Sequence, residues 1–208
     1  MKTIVCFGDS NTWGLDPFQG PRFNMEQRWP GVLRGALGAG YWVVEEGMGG
    51  RTIVYDDPVE GFACGRDYLI PCLQSHTPVD LVIMMLGTND LKKRFSLPAC
   101  DIAKGAGVLV DLIRKANYPR GYLAPQVLLI APPPIMEVGR FKEIFTGGAE
   151  KSLKFGAYYA DIAETFGCHF MDAGKIIRSS PVDGIHFDPA EHAKLGQAVT
   201  EKVKEILG

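Results

Sequence analysis

Residues 80–90 read DLVIMMLGTND. A strand with one wet face alternates apolar and polar residues. From Leu81 to Leu86 every residue is apolar, the pattern of a strand in a parallel sheet covered on both faces. The run stops on Gly87-Thr88-Asn89-Asp90, which places polar side chains at the carboxyl end of the strand.

Working outward, similar runs occur at 3–7 (TIVCF), 41–47 (YWVVEEG), 126–132 (QVLLIAP) and, more weakly, 168–173 (CHFMDA). Between them lie stretches with helical spacing. Trp29, Val32, Leu33, Ala36 and Leu37 share one face of a helix over 27–37, and Tyr68, Leu69, Cys72 and Leu73 one face of a helix over 66–76. Long helices are predicted at 99–116, 148–166 and 189–207, the last with Pro189 in its first turn. Buried strands alternating with helices predict an α/β fold, a three-layer α/β/α sandwich with a parallel sheet of about five strands and right-handed crossovers. No repeat, low-complexity segment or linker divides 1–208, so a single domain is expected.

The bulk composition agrees with one core and narrows the function. The chain has 208 residues, 46% of them hydrophobic. A net charge of −2 gives no electrostatic case for nucleic acid or an anionic membrane. The apolar runs are too short to span a bilayer, and no cleavage-site pattern follows the first run. A cytoplasmic protein is therefore expected. Five widely spaced cysteines (Cys6, Cys64, Cys72, Cys100, Cys168) without CxxC pairs read as small buried hydrophobes, with neither a disulfide framework nor zinc spacing.

Polar residues collect where strands end. Strand one ends in Gly8-Asp9-Ser10-Asn11, strand two in Gly47-Met48-Gly49-Gly50-Arg51-Thr52, strand three in Gly87-Thr88-Asn89-Asp90. Just before the last helix comes Asp183-Gly184-Ile185-His186. In open α/β sheets ligands bind outside the carboxyl ends of the strands. Ser10 is the candidate nucleophile; its hydroxyl needs a base. His186 is the candidate base, and Asp183, three residues earlier, would orient its imidazole. The backbone N–H groups of Ser10 and Gly50 and the Asn89 amide are candidate donors to an oxyanion. Each piece alone reads more simply, as a helix cap, an Asx turn or a tight turn. Their joint occurrence at successive strand ends argues for a site. No G-x-S-x-G elbow is present, and neither a metal nor an organic cofactor is expected.

Phe7-Gly8-Asp9-Ser10, Gly50, Gly87-Thr88-Asn89-Asp90 and Asp183-Gly184-Ile185-His186 resemble, in order, the blocks of the SGNH hydrolase superfamily, the GDSL-like esterases and lipases. The match departs at Asn11, where the motif has leucine. CFGDSNTWG, RWPGVL, VVEEGMGGRT, LGTND, APPP and VDGIHF further resemble its small bacterial aryl esterase/acyltransferase branch. The resemblance implies a flavodoxin-like fold, hydrolysis of short-chain esters through an acyl-serine, acyl transfer to alcohols or peroxide, and a homo-oligomer. An O-acetyl carbohydrate deacetylase is the alternative. A non-catalytic scaffold binding acylated ligands is a third reading, and would be expected to lack a member of the site.

Loops 14–26, 50–65 and 132–147 all follow strands and are the expected pocket walls. Asp9, Trp13, Leu15, Met48, Ile135 and Phe145 are expected to meet substrate, with Phe18 and Phe141 as further mouth residues; Asp9 and Arg51 also have a structural reading. His76, His169 and His192 have no partner pattern for catalysis, and Asp188 and His192 read as a surface i,i+4 pair.

Overall fold

The computed structural model describes residues 1–18, 20–61, 63–119 and 121–208. Gln19 of the expected loop 14–26 and Phe62 of the expected loop 50–65 lie outside the described residues. In chain order the main elements are β1 (Lys2–Gly8), a single-turn α1 (Ser10–Trp13), α2 (Trp29–Leu37), β2 (Tyr41–Gly47), α3 (Gly65–Ser75) and β3 (Leu81–Met85). They continue with α4 (Ala99–Lys115), β4 (Gln126–Ala131), α5 (Gly148–Ser152), α6 (Phe155–Phe166), β5 (His169–Asp172) and α7 (Pro189–Leu207).

The five strands form one parallel sheet in the order β2-β1-β3-β4-β5. Successive side chains of a strand point to opposite faces, and both faces are covered. Val5, Phe7, Val82, Met84, Val127 and Leu129 pack with α3, α4 and α6. Ile4, Cys6, Leu81, Ile83, Leu128 and Ile130 pack with Trp29 and Leu33 of α2 and Leu195, Val199 and Val203 of α7. The three-layer α/β sandwich expected from the double-sided apolar runs is therefore the observed architecture.

Strand order reverses between β1 and β3, the point at which this topology opens a crevice. Register aligns the strand ends there: Gly8 pairs with Gly47 on one side and Met85 on the other. The segments starting at Ser10, Met48 and Leu86 consequently leave the sheet at one level.

Two expected helices differ. The helix placed at 27–37 begins at Trp29, because the Asn24 side chain accepts from the N–H groups of Glu26 and Gln27 and holds them in a turn. The long helix placed at 148–166 is two helices. Ser152 Oγ donates to Ala149 O (2.7 Å) and accepts from Ile135 N (3.0 Å). That hydroxyl competes for the helix's own carbonyl while tying the 132–147 loop down, and the axis restarts at Phe155.

The Asp188/His192 pair is not on the surface. His192 is fully buried between the rings of Phe23 and Phe187, and its Nδ1 accepts from Trp29 N (3.2 Å). Burial, with the charges of His186 and Arg28, lowers its pKa to about 3, so it stays neutral. It belongs to the apolar stripe of α7 together with Leu195 and Val199.

Candidate active site

Ser10 is the first residue of α1, directly beyond β1. Asp9 caps this turn by accepting from Asn11 N (2.9 Å), and the turn closes through Gly14 N to Ser10 O (2.8 Å). Asp183 and His186 lie on the loop before α7. Asp183 Oδ1 accepts from the N–H groups of Ile185 (3.0 Å) and His186 (2.9 Å), folding the loop around its own carboxylate. The loop needs its glycine: Gly184 has φ +78°, and a Cβ there would stand 2.0 Å from Met136 O.

These elements bring three side chains into line. His186 Nε2 lies 2.9 Å from Ser10 Oγ, and His186 Nδ1 lies 2.6 Å from Asp183 Oδ2. All three residues are buried. The ionised carboxylate can only accept, so Nδ1 carries the proton and the Nε2 lone pair faces the serine hydroxyl. Burial pushes the Asp183 carboxyl up, but the hydrogen bond and charge of His186 and the two backbone donors outweigh it and hold the carboxyl below its usual range.

Asn89 opens the turn after β3. Its Nδ2 donates to Arg51 O (3.1 Å), which fixes the amide and, among the described residues, leaves its second N–H without a partner. Gly50 has φ +76° and lies in the β2 segment that leaves the sheet beside Ser10. Ser10, Gly50, Asn89 and His186 line one cavity of about 190 Å³. Such a site can accept a small carbonyl compound, offer it a nucleophile with a base, and present N–H donors to the oxygen.

Four of the six residues expected to meet substrate do not line the cavity; Leu15 and Phe145 do, and so does Phe141. Asp9 is buried under the turn as its cap, and burial lifts its carboxyl to about 6 against the Asn11 N–H and the charges of His186, Arg51 and Lys92. Trp13 turns toward the 15–22 loop, where the Arg22 guanidinium stands 5.0 Å over its ring. Met48 lies beside β1, with its N–H on Gly8 O (3.1 Å). Ile135 is absorbed into the core, and Phe18 is exposed. Arg51 has the structural role: buried, it donates from Nη1 to Gly8 O (2.8 Å) and Glu46 O, and stacks on Phe7.

Glu60, Lys92, Ile144 and Ile185 also line the cavity, none of them having been named individually as a site residue. Lys92 carried a usable signal, three residues after Asn89 in the same turn. Glu60 and Ile144 lie in the loops 50–65 and 132–147 expected as pocket walls, but which of the loops' residues face the cavity depends on how each loop folds back. Outside the cavity, His76 pairs with Glu46 (3.0 Å) and His169 with Gln126 (2.9 Å). Glu46, Cys72 and His76 gather potential metal-ligand atoms within 4.8 Å of one another, as do Asp56, Cys64 and Asp67.

The GDSL-like lipase/acylhydrolase family model matches residues 6–194, and the chain belongs to that family. It is similar to the aryl esterase of M. smegmatis, with 42% identity over 99% of this chain and 100% of that one and a TM-score of 0.95. It is equally close in fold to Est24, a carbohydrate acetylesterase from Sinorhizobium meliloti, at 40% identity over 99% of each chain and a TM-score of 0.95. A second carbohydrate acetylesterase family member from Sinorhizobium meliloti aligns at 38% identity over the whole of both chains, with a TM-score of 0.96. A search of curated proteins gave no significant match. Among the described residues no helix is long and apolar enough to cross a membrane.

Proposed function

We propose that the protein is a serine esterase that hydrolyses short-chain, acetyl-type esters through an acyl-Ser10 intermediate. The observation that carries this reading is the aligned Ser10 Oγ, His186 Nε2, His186 Nδ1 and Asp183 Oδ2, at 2.9 and 2.6 Å. Ser10 Oγ attacks the ester carbonyl as His186 Nε2 takes its proton, and Asp183 stabilises the imidazolium. The oxyanion receives the N–H groups of Ser10 and Gly50 and the second N–H of Asn89. Collapse expels the alcohol, which takes the proton from His186, and leaves acyl-Ser10. Water then attacks with His186 again as base.

The cavity of about 190 Å³ supports a short acyl group. Phe141, Ile144, Phe145 and Ile185 on its wall disfavour water and support acyl transfer to an alcohol or peroxide as a side activity. Five free cysteines suit a cytoplasmic setting. The likeness to Est24 supports a second reading, removal of O-acetyl groups from carbohydrates.

Rates on aryl esters from acetate to octanoate, with a peracetylated saccharide alongside, separate these readings. Turnover that is highest for acetate and falls with chain length is expected. Turnover of the saccharide alone would favour the second reading, and a preference for octanoate would reject the short-chain assignment.

A further inference from the structure

The cavity has two unlike walls. Phe141, whose ring centre lies 5.6 Å from that of His186, stands with Phe145 and Ile185 on an apolar side next to the base. The other side adjoins the oxyanion donors and carries Glu60 and Lys92. Glu60 Oε2 sits over Gly50, 2.1 Å from where a Cβ on that residue would stand. Lys92 follows Asn89 in the same turn, its N–H on Asn89 O (3.2 Å).

These two residues are the inner edge of a four-membered ion cluster. Lys92 Nζ, almost wholly buried, donates to Asp57 Oδ2 (3.1 Å) and Glu60 Oε1 (2.6 Å). Arg94 donates to Asp57 Oδ1 (2.9 Å) and lies 3.7 Å from Glu60 Oε1. Two cations and two carboxylates make the cluster formally neutral, so it offers no net attraction to a charged substrate. It does leave hydrogen-bonding capacity. An ammonium has three donors and, among the described residues, Lys92 uses two. Glu60 Oε2 has no hydrogen-bond partner among the described residues. A free donor beside a free acceptor matches a hydroxyl, which accepts and donates at once.

The mechanism says which half of the substrate brings that hydroxyl. His186 must protonate the leaving oxygen, so the alcohol lies along the Phe141 side. The carbonyl oxygen takes the corner between Gly50 and Asn89. The remaining substituent of the tetrahedral carbon is the acyl chain, and the residues adjoining that corner are Glu60 and Lys92. We propose that Glu60 and Lys92 form a subsite for a hydroxyl on the acyl chain, making short hydroxyacyl esters better substrates than their plain counterparts. This rests on the esterase reading above.

Three esters test it: ethyl butyrate, ethyl 3-hydroxybutyrate and 2-hydroxyethyl butyrate, each with wild type and Glu60→Ala. Glu60 is the position to change because its side chain is 37% exposed, whereas Lys92 is buried on Asp57. The quantity read is the ratio of kcat/KM for each hydroxylated ester to that for ethyl butyrate, which cancels general losses in the variant. The 3-hydroxybutyrate ratio is expected to fall at least fivefold in Glu60→Ala, because a site built to bond a hydroxyl discriminates through it. An unchanged ratio overturns the subsite while leaving the esterase intact. A fall confined to the 2-hydroxyethyl ester overturns the acyl-side assignment. No turnover of any of the three esters by wild-type protein that hydrolyses 4-nitrophenyl acetate overturns the subsite alone, and no turnover of that acetate either overturns the esterase reading and the subsite with it.

Discussion

Replacing Asp183 by asparagine changes one atom and is expected to disable the base without unfolding the loop. Asp183 Oδ1 holds the N–H groups of Ile185 and His186 at 3.0 and 2.9 Å, and the asparagine oxygen keeps both. Asp183 Oδ2, 2.6 Å from His186 Nδ1, becomes an NH2 donor. Nδ1 must then accept, so the imidazole proton moves to Nε2, which faces Ser10 Oγ at 2.9 Å and can no longer take the serine's proton. A wrong tautomer in such a triad costs roughly ten-thousandfold in kcat, about 5 kcal/mol of barrier. The assay is initial-rate hydrolysis of 4-nitrophenyl acetate at neutral pH, with thermal melting as the control for folding. A loss smaller than tenfold in a folded Asp183→Asn protein would refute the assignment of His186 as a base oriented by Asp183.

Asn89→Ala removes one oxyanion donor and should lower kcat on the same ester roughly a hundredfold or more with little change in KM; an unaltered kcat would exclude the amide from the oxyanion site. Asp90 gives a stability test. Burial raises its carboxyl from 3.8 to about 7, although both oxygens lie 3.1 Å from Ile53 N. With the folded pKa raised, its contribution to stability is fully present below pH 3.8 and is lost as pH rises toward 7. Between pH 5 and pH 8 the loss comes to about 3 kcal/mol. Asp90→Asn keeps an oxygen for Ile53 N and cannot ionise, so its stability relative to wild type, from urea melts, should be greater at pH 8 than at pH 5. An equal difference at both values would contradict the buried, protonated carboxyl.

Much of this arrangement is legible in the sequence, for physical reasons. Double-sided apolar runs such as 81–86 need cover on both faces, which determines a parallel sheet with helices on each side. The strand ends then follow from where the apolar runs stop, and Ser10, Gly50, Asn89 and the Asp183–His186 loop stand out because polar residues cluster there. The places where reading fell short depend on tertiary contacts. The break between α5 and α6 is set by Ser152 reaching Ile135 N across the 132–147 loop. His192 is polar by type but buried by its position on the inward stripe of α7. Trp13 and Met48 lie two or three residues from Ser10 and Gly50 yet do not line the cavity, Trp13 being held under the Arg22 guanidinium. Glu60 reaches the cavity only because its loop folds back onto Gly50.

The most direct measurement concerns Ser10 itself. Wild-type protein mixed with 4-nitrophenyl acetate, quenched in acid within the first turnovers and digested, should yield an acetyl group on the peptide carrying Ser10. The Ser10→Ala protein should release nitrophenol no faster than buffer. Acetyl found on another residue, or turnover by Ser10→Ala at the wild-type rate, would contradict the account.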